Sequence, residues 1–178
     1  MADATGKKRK SQECEADMFD TTDQDFETGF AFLLTDIARM FRNALDKEIV
    51  VSGIGLTPGQ IRTLAHIDRN GGIRQTALAD IMGVEPMTVS AFIDRLEAQG
   101  LVVRETDPSD RRAKLVSVTE KAEAVFEQVR PVVSQVFEHM MQDIDVDGRT
   151  ALALCLGHMR ERLSSTPAPV IPLSRAAA

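Results

Sequence analysis

Cysteine is scarce: Cys14 and Cys155 are the only two in 178 residues. Two thiols do not make a disulfide framework, and their scarcity points to a reducing compartment, the cytoplasm. Neither reads as a redox sensor. Cys14 lies between Glu13 and Glu15, whose charges raise a thiol pKa, and Cys155 lies among Ala151, Leu152, Leu154 and Leu156, a setting that predicts burial. Histidine is equally sparse, and His66, His139 and His158 lack cysteine or carboxylate neighbours at convincing metal-binding spacing. No glycine-rich phosphate loop and no nucleophile motif occurs. These absences argue against an enzyme and against any cofactor. No apolar run approaches the ~20 residues of a membrane span, and no internal repeat is visible. The opening Met1 to Lys10 lacks the apolar stretch of a secretory signal.

What is present suits one domain with polar tails. Hydrophobic residues make up 43% of the chain, enough for a good core. Residues 1–24 are polar, and 165–178 hold Pro167, Pro169 and Pro172 before terminal alanines, so both ends are expected to be disordered. The run Lys7 to Lys10 reads either as solvated tail or as an arm that follows phosphates. The formal net charge is −6, yet residues 60–116 hold eight Lys/Arg and eight Asp/Glu. The acid excess therefore lies outside that segment, and a charge is strongly felt only within a Debye length, about 8 Å in physiological salt.

The densest signal runs from Thr76 to Thr119. A short helix, Thr76–Met82, is predicted with Leu78, Ile81 and Met82 facing inward and Thr76 as its cap. Gly83 then permits a sharp turn. In a second helix, Pro86–Gln99, Val89, Ile93 and Leu96 recur at i, i+4 and i+7, and Leu101 continues the stripe. Pro86 suits the first turn of that helix and Gly100 its left-handed end. Met87, Thr88, Ser90, Ala91, Asp94 and Arg95 form the opposite face. Two strand-like runs, Leu101–Thr106 and Lys114–Val118, enclose a charged turn that sets Arg111 and Arg112 at or near its tip. Arg104 and Lys114 flank the turn as further phosphate contacts, and Asp110 either pairs with Arg111 or only balances charge. A helix that fits a major groove, followed by a basic hairpin, is a winged helix-turn-helix built for duplex DNA. The alternatives are a helical hairpin inside some other α protein and arginines that are merely solvated.

The run Leu96-Glu-Ala-Gln-Gly-Leu-Val-Val-Arg104, followed by Asp107-Pro-Ser-Asp-Arg-Arg-Ala-Lys-Leu-Val-Ser-Val-Thr119, resembles the MarR family of bacterial transcription regulators. The motifs occupy about 96–119, and the architecture about 25–165. One departure is Ala122, where the family usually has glycine, at the start of a helix that alanine favours. The resemblance places Pro86, Met87, Thr88, Ser90, Ala91 and Arg95 on the recognition helix and Arg111 and Arg112 on the wing. It places Leu115 and Val118 on the wing's second strand, packed against the core. It also makes Asp94 a tether for a wing arginine rather than a base reader, since a carboxylate beside phosphates is unfavourable.

Further helices are predicted on both sides. One spans about 26–51, with Phe30, Leu33, Leu34, Ile37, Phe41, Ala44 and Leu45 as its stripe. Another starts at a Thr57-Pro58 cap and reaches about Asp68. A third runs from Thr119 to about Ile144 with a bend at Pro131, and a fourth from Arg149 to about Leu163 behind an Asp147 cap. Val125, Val129, Val132, Val133, Val136, Phe137, Met140 and Met141 on the third helix exceed what one small reader covers. Leu152, Leu154, Leu156 and Met159 on the fourth add to that apolar surface. Such flanking helices suit a two-fold homodimer with its readers about one duplex turn apart, and MarR-like proteins dimerise through terminal helices.

The expected architecture is thus mainly α with a small β-wing: a winged helix-turn-helix at about 57–119 inside a domain of 25–164, flanked by dimerisation helices at about 26–51 and 119–164. The expected function is a sequence-specific DNA-binding transcription regulator, a homodimeric repressor on a pseudo-palindromic operator. The competing reading is a dimeric interaction module that keeps the scaffold and binds no DNA. The resemblance further implies a cleft for a small aromatic or phenolic effector. Phe30, Met40, Phe41 and His66 offer apolar lining there and Arg42 or Arg62 a partner for a carboxylate; the same residues equally suit ordinary core and solvated surface.

Overall fold

The computed structural model describes residues 26–165. The expectations for the two tails, Lys7 to Lys10 and Cys14 lie outside the described residues. Along the chain come α1 (Phe26–Ser52), α2 (Pro58–Asn70), β1 (Ile73–Arg74), α3 (Gln75–Met82), α4 (Pro86–Ala98), β2 (Val102–Asp107), β3 (Asp110–Val118), α5 (Ala122–Met141) and α6 (Val146–Ser165). Two compact units divide it, one ending at Val136 and one beginning at Phe137.

In the first unit the core gathers Ile61, Leu64 and Ile67 of α2, Leu78 of α3, Val89, Ile93 and Leu96 of α4, and Val102 and Val116 of the sheet. Each such side chain contributes roughly 1.5–3 kcal/mol by leaving water. Helix α2 starts as its residues dictate. Thr57 Oγ1 accepts from the Gln60 backbone N–H at 3.3 Å, and Gln60 Oε1 accepts from the Thr57 N–H at 2.8 Å, a reciprocal cap ahead of Pro58. Helix α1 corrects its expected stripe. Leu33, Leu34 and Ile37 are exposed, and the helix meets the core through Ile49 and Leu45, near its C-terminal end.

The sheet is antiparallel in the order β1-β3-β2, with Ile73 opposite Val116 and Val102 opposite Val118. Strand alternation makes Val116 the fully buried residue of β3 and sets Val118 against the core, so Leu115 falls on the other face, half-buried. Helix α3 departs from expectation in two ways. Arg74 occupies its cap position, without a side-chain hydrogen bond, and Thr76 lies exposed inside the helix. Ile81 is exposed while Leu78 and Ala79 are buried, because two turns of helix present only a narrow face to the core. Helix α5 is continuous across Pro131 and ends at Met141, before the expected Ile144.

In the second unit the acid that caps α6 is Asp145, whose Oδ1 accepts the Gly148 N–H at 2.8 Å. Asp147 sits in the first turn, where its charge suits the helix dipole. Arg149 closes the preceding turn by donating to the Ile144 and Met141 carbonyls and by pairing with Glu138 at 3.0 Å. Cys155 is exposed rather than buried, since its neighbours Leu152, Leu154 and Leu156 are left open by the single chain. No single helix among the described residues is long and apolar enough to cross a membrane.

Candidate nucleic-acid interface

Helices α3 and α4 are bent by 114° around a three-residue turn, within the ~90–120° usual for helix-turn-helix pairs. Gly83, at φ 63°, makes the bend possible, and the Val84 N–H reaches back to the Ala79 carbonyl at 3.2 Å. The far end of α4 closes in the same way, with Gly100 at φ 71° and the Leu101 N–H on the Leu96 carbonyl at 2.9 Å. Between these stops Val89, Ile93 and Leu96 are fully buried. The helix therefore has one rotation about its axis, and the other face is fixed toward solvent. Pro86, Met87, Thr88, Ala91 and Arg95 are exposed there, and Ser90 is half-buried.

The wing is tighter than expected. Only Pro108 and Ser109 turn, and β3 begins at Asp110, so Arg111 and Arg112 lie on a strand just past the tip. The pairing jumps from Thr106 opposite Lys114 to Asp107 opposite Asp110. Arg111, Arg112 and Ala113 are thereby looped out of the regular ladder, as bulges do where a side chain is re-aimed. Both arginines are exposed, and neither pairs with another described residue. Asp110 serves the backbone: its Oδ1 accepts the Arg112 N–H at 3.0 Å. Lys114 Nζ donates to Thr106 Oγ1 at 2.8 Å, across the strands.

Two ion-pair networks anchor this reader. Arg104 on β2 donates to Asp94 at 2.5 Å and to Glu97, both on α4. Burial opposes its charge, but the hydrogen bonds and charges of Asp94 and Glu97 outweigh it and raise its pKa. Arg104 is therefore engaged by α4 carboxylates instead of standing free for phosphates. Asp94 does tether a wing arginine, but one on the first strand rather than at the tip. The second network has no periodic signal in the sequence, because Arg74 lies far along the chain from Asp107 and Ser109. Asp107, buried, accepts the Ser109 N–H at 2.8 Å and the Ser109 hydroxyl at 2.7 Å through Oδ1, and the Arg74 Nε–H at 2.7 Å through Oδ2. Ser109 first, then Arg74, pull its pKa down to about 2.

A profile described as the MarR family matches residues 56–114, from the cap of α2 to β3. Over 119 residues the chain is 34% identical to a protein of Thauera aromatica assigned as a transcriptional regulatory protein for the hcr operon, covering 65% of this chain and 70% of that one. The chain belongs to the MarR family. It is a transcription regulator, not an enzyme. Over 75 residues it is 35% identical to the HTH-type transcriptional repressor MdtR of Bacillus subtilis, covering 42% of this chain and 48% of MdtR. That match thus spans about half of MdtR's length. A crystal structure of a MarR-family transcriptional regulator from Silicibacter pomeroyi aligns with a TM-score of 0.65 at 28% identity, covering 78% of this chain and 93% of that one.

In this MarR-family chain the residues expected at an effector cleft are spread along two helices. Phe30 stacks on Phe26 near the start of α1, with ring centroids 5.9 Å apart. Met40, Phe41 and Arg42 lie about 15–18 Å further along the same helix by its rise, so Phe30 is not brought together with them. Met40 and Arg42 are exposed, and Phe41 is half-buried. On α2, Arg62 and His66 sit one turn apart, and Arg62 is committed to Asp46 of α1. Burial first, then the charges of Arg69 and Arg62, push the His66 pKa down. An open groove of about 510 Å³ is lined by Asn43, Asp46, Lys47, Val50, Val51 and Pro58, none of them among the six.

Proposed function

We propose that this chain is a sequence-specific, DNA-binding repressor that works in the cytoplasm as a homodimer. The observation that carries the reading is an anchored helix face with Arg111 and Arg112 beside it, exposed and paired with no described side chain. Pro86, Met87, Thr88, Ser90, Ala91 and Arg95 address base edges and backbone in a major groove, and the two wing arginines address phosphates or an adjacent minor groove. A homodimer is supported by apolar side chains that the single chain leaves open: Phe32 on α1 and Leu154 and Leu163 on α6 are 69%, 60% and 78% exposed. Two-fold pairing would set the readers about 34 Å apart on a pseudo-palindromic site. Repression is the activity in MdtR's name and comes to this chain with the reading.

The test is retention of genomic DNA fragments by the purified full chain, followed by gel shift and sedimentation with the recovered duplex. Specific retention by a dimer is expected. A dimer that holds no duplex would establish the interaction-module reading instead. The proposal extends to a small aromatic or phenolic acid as effector, supported by the half-buried Phe41 and His66 and by an exposed Arg42. Such a ligand must prefer one reader spacing, because equal affinity for both states shifts nothing. Thermal-shift screening of aromatic acids with operator-release assays checks this. A ligand that raises the melting temperature but leaves operator affinity unchanged would count against the switch.

A further inference from the structure

The helix-turn-helix and its wing are joined by a contact that neither element needs for itself. Arg74 occupies the cap position of α3, where Ser, Thr, Asp or Asn would satisfy an orphan N–H, and it makes no cap bond there. Its guanidinium instead crosses to the wing, giving Nε to Asp107 Oδ2 at 2.7 Å and Nη2 to Ser109 Oγ at 3.2 Å. Asp107 closes the set by holding both donors of Ser109, so the two-residue turn has one conformation. The Arg74 side chain is 43% exposed and that of Asp107 only 7%, so the carboxylate is held at the buried end of the pair while the guanidinium stays partly in water.

We propose that Arg74 and Asp107 are positioning residues for the wing, holding the turn so that Arg111 and Arg112 stand in one place before a duplex arrives. The proposal rests on the DNA-binding reading above. Its physical content is preorganisation. Arginines at an irregular stretch of β3 lose rotamer and backbone freedom on binding unless the strand that carries them is already fixed. The pair fixes it one residue before the ladder breaks, at Asp107 opposite Asp110. It also ties the wing to the start of α3, so recognition helix and wing meet DNA as one body.

Charge gives the test a sign. Asp107→Asn keeps an acceptor for the Ser109 N–H, removes the ion pair with Arg74, and deletes one negative charge per protomer near DNA. Simple electrostatics then predicts tighter binding; lost positioning predicts weaker binding, by roughly tenfold. The probe is a fluorescently labelled duplex recovered by the full chain from a random-sequence pool. The salt slope of binding should stay as in the wild type, because no phosphate contact is removed. In an Arg111→Ala/Arg112→Ala background, Asp107→Asn should add nothing, since it acts through those side chains. Arg74→Lys, which retains the pair with Asp107, should bind more tightly than Arg74→Gln, and the two should bind equally in the Arg111→Ala/Arg112→Ala background, where charge alone would still separate them.

Unchanged or tighter binding by a folded Asp107→Asn chain, or a full additive loss in the doubly substituted background, would overturn the positioning role alone. Should Asp107→Asn not fold, the Arg74→Lys and Arg74→Gln pair decides: equal affinities overturn the role. A wild-type chain that recovers no duplex overturns the DNA-binding reading, and this proposal falls with it.

Discussion

Gly59 lies directly beneath the ring of Phe92: a Cβ built on Gly59 would come within 2.5 Å of Phe92 Cζ. The close approach sets how near α2 comes to α4, and α4 presents the candidate reading face. Gly59→Ala should therefore force the ring outward or part the helices, at a cost of about 1–3 kcal/mol. Thermal or urea unfolding measures the loss. Combined with Phe92→Leu, the change should cost less than the sum of the two, because Phe92→Leu removes the ring that the new methyl would crowd. Strict additivity would show that the helices do not meet there.

Arg104 holds two carboxylates of α4 at once, and its removal should affect DNA binding more than folding. Asp94 and Glu97 are 63% and 41% exposed, so Arg104→Met leaves no buried unpaired charge. The expected loss of stability is only about 1 kcal/mol. Two unneutralised carboxylates on the recognition helix should still weaken binding to any duplex. Adding Asp94→Asn and Glu97→Gln should restore part of that affinity. A gel-shift series over the three chains checks it, and equal affinity throughout would remove Arg104 from the interface.

The low pKa of Asp107 makes a pH prediction with a definite sign. A carboxylate depressed to about 2 from 3.8 adds stability that is fully present above about pH 4 and is lost as pH falls from 4 toward 2. Asp107→Asn has no such group to titrate. Wild type and variant should therefore differ most in urea midpoint near pH 6 and converge toward pH 2.5. A gap that stays constant across that range would mean that the carboxylate is not specially held.

The parts of this reader that the chain sequence announces are those with a local period. Val89, Ile93 and Leu96 repeat at helical spacing, so α4 and its outward face follow from the residues alone, and Gly83 and Gly100 mark its limits. The wing tip is harder to place, because the charged run Asp107–Arg112, with its proline, looks like one loop, whereas a bulge lets Arg111 and Arg112 stay on a strand. Arg74 and Asp107 are 33 residues apart, and no period connects them. The one local clue is Arg74 itself, an arginine where a helix cap would prefer a short polar residue. Cys155 misleads for another reason: leucines around it imply burial, but no surface among the described residues covers them.

Arg111→Ala should weaken DNA binding while leaving dimer formation and melting temperature nearly unchanged. Its side chain is exposed, pairs with no described residue, and lies where β3 leaves the ladder, so the fold gives it nothing to do. If it meets one phosphate per protomer, deleting it should lower the salt slope by about one unit for each phosphate no longer neutralised. A minor-groove role would behave differently. Affinity would fall mainly for duplexes with A·T-rich flanks, where the narrow groove concentrates negative potential. Binding titrations at several salt concentrations, on duplexes with A·T-rich and G·C-rich flanks, separate the two roles. Arg112 has the same exposure but a backbone N–H held by Asp110 at 3.0 Å, so Arg112→Ala should reproduce the loss without disturbing the bulge. Wild-type affinity and salt slope in both variants would place the wing outside the interface and leave the recognition helix to act alone.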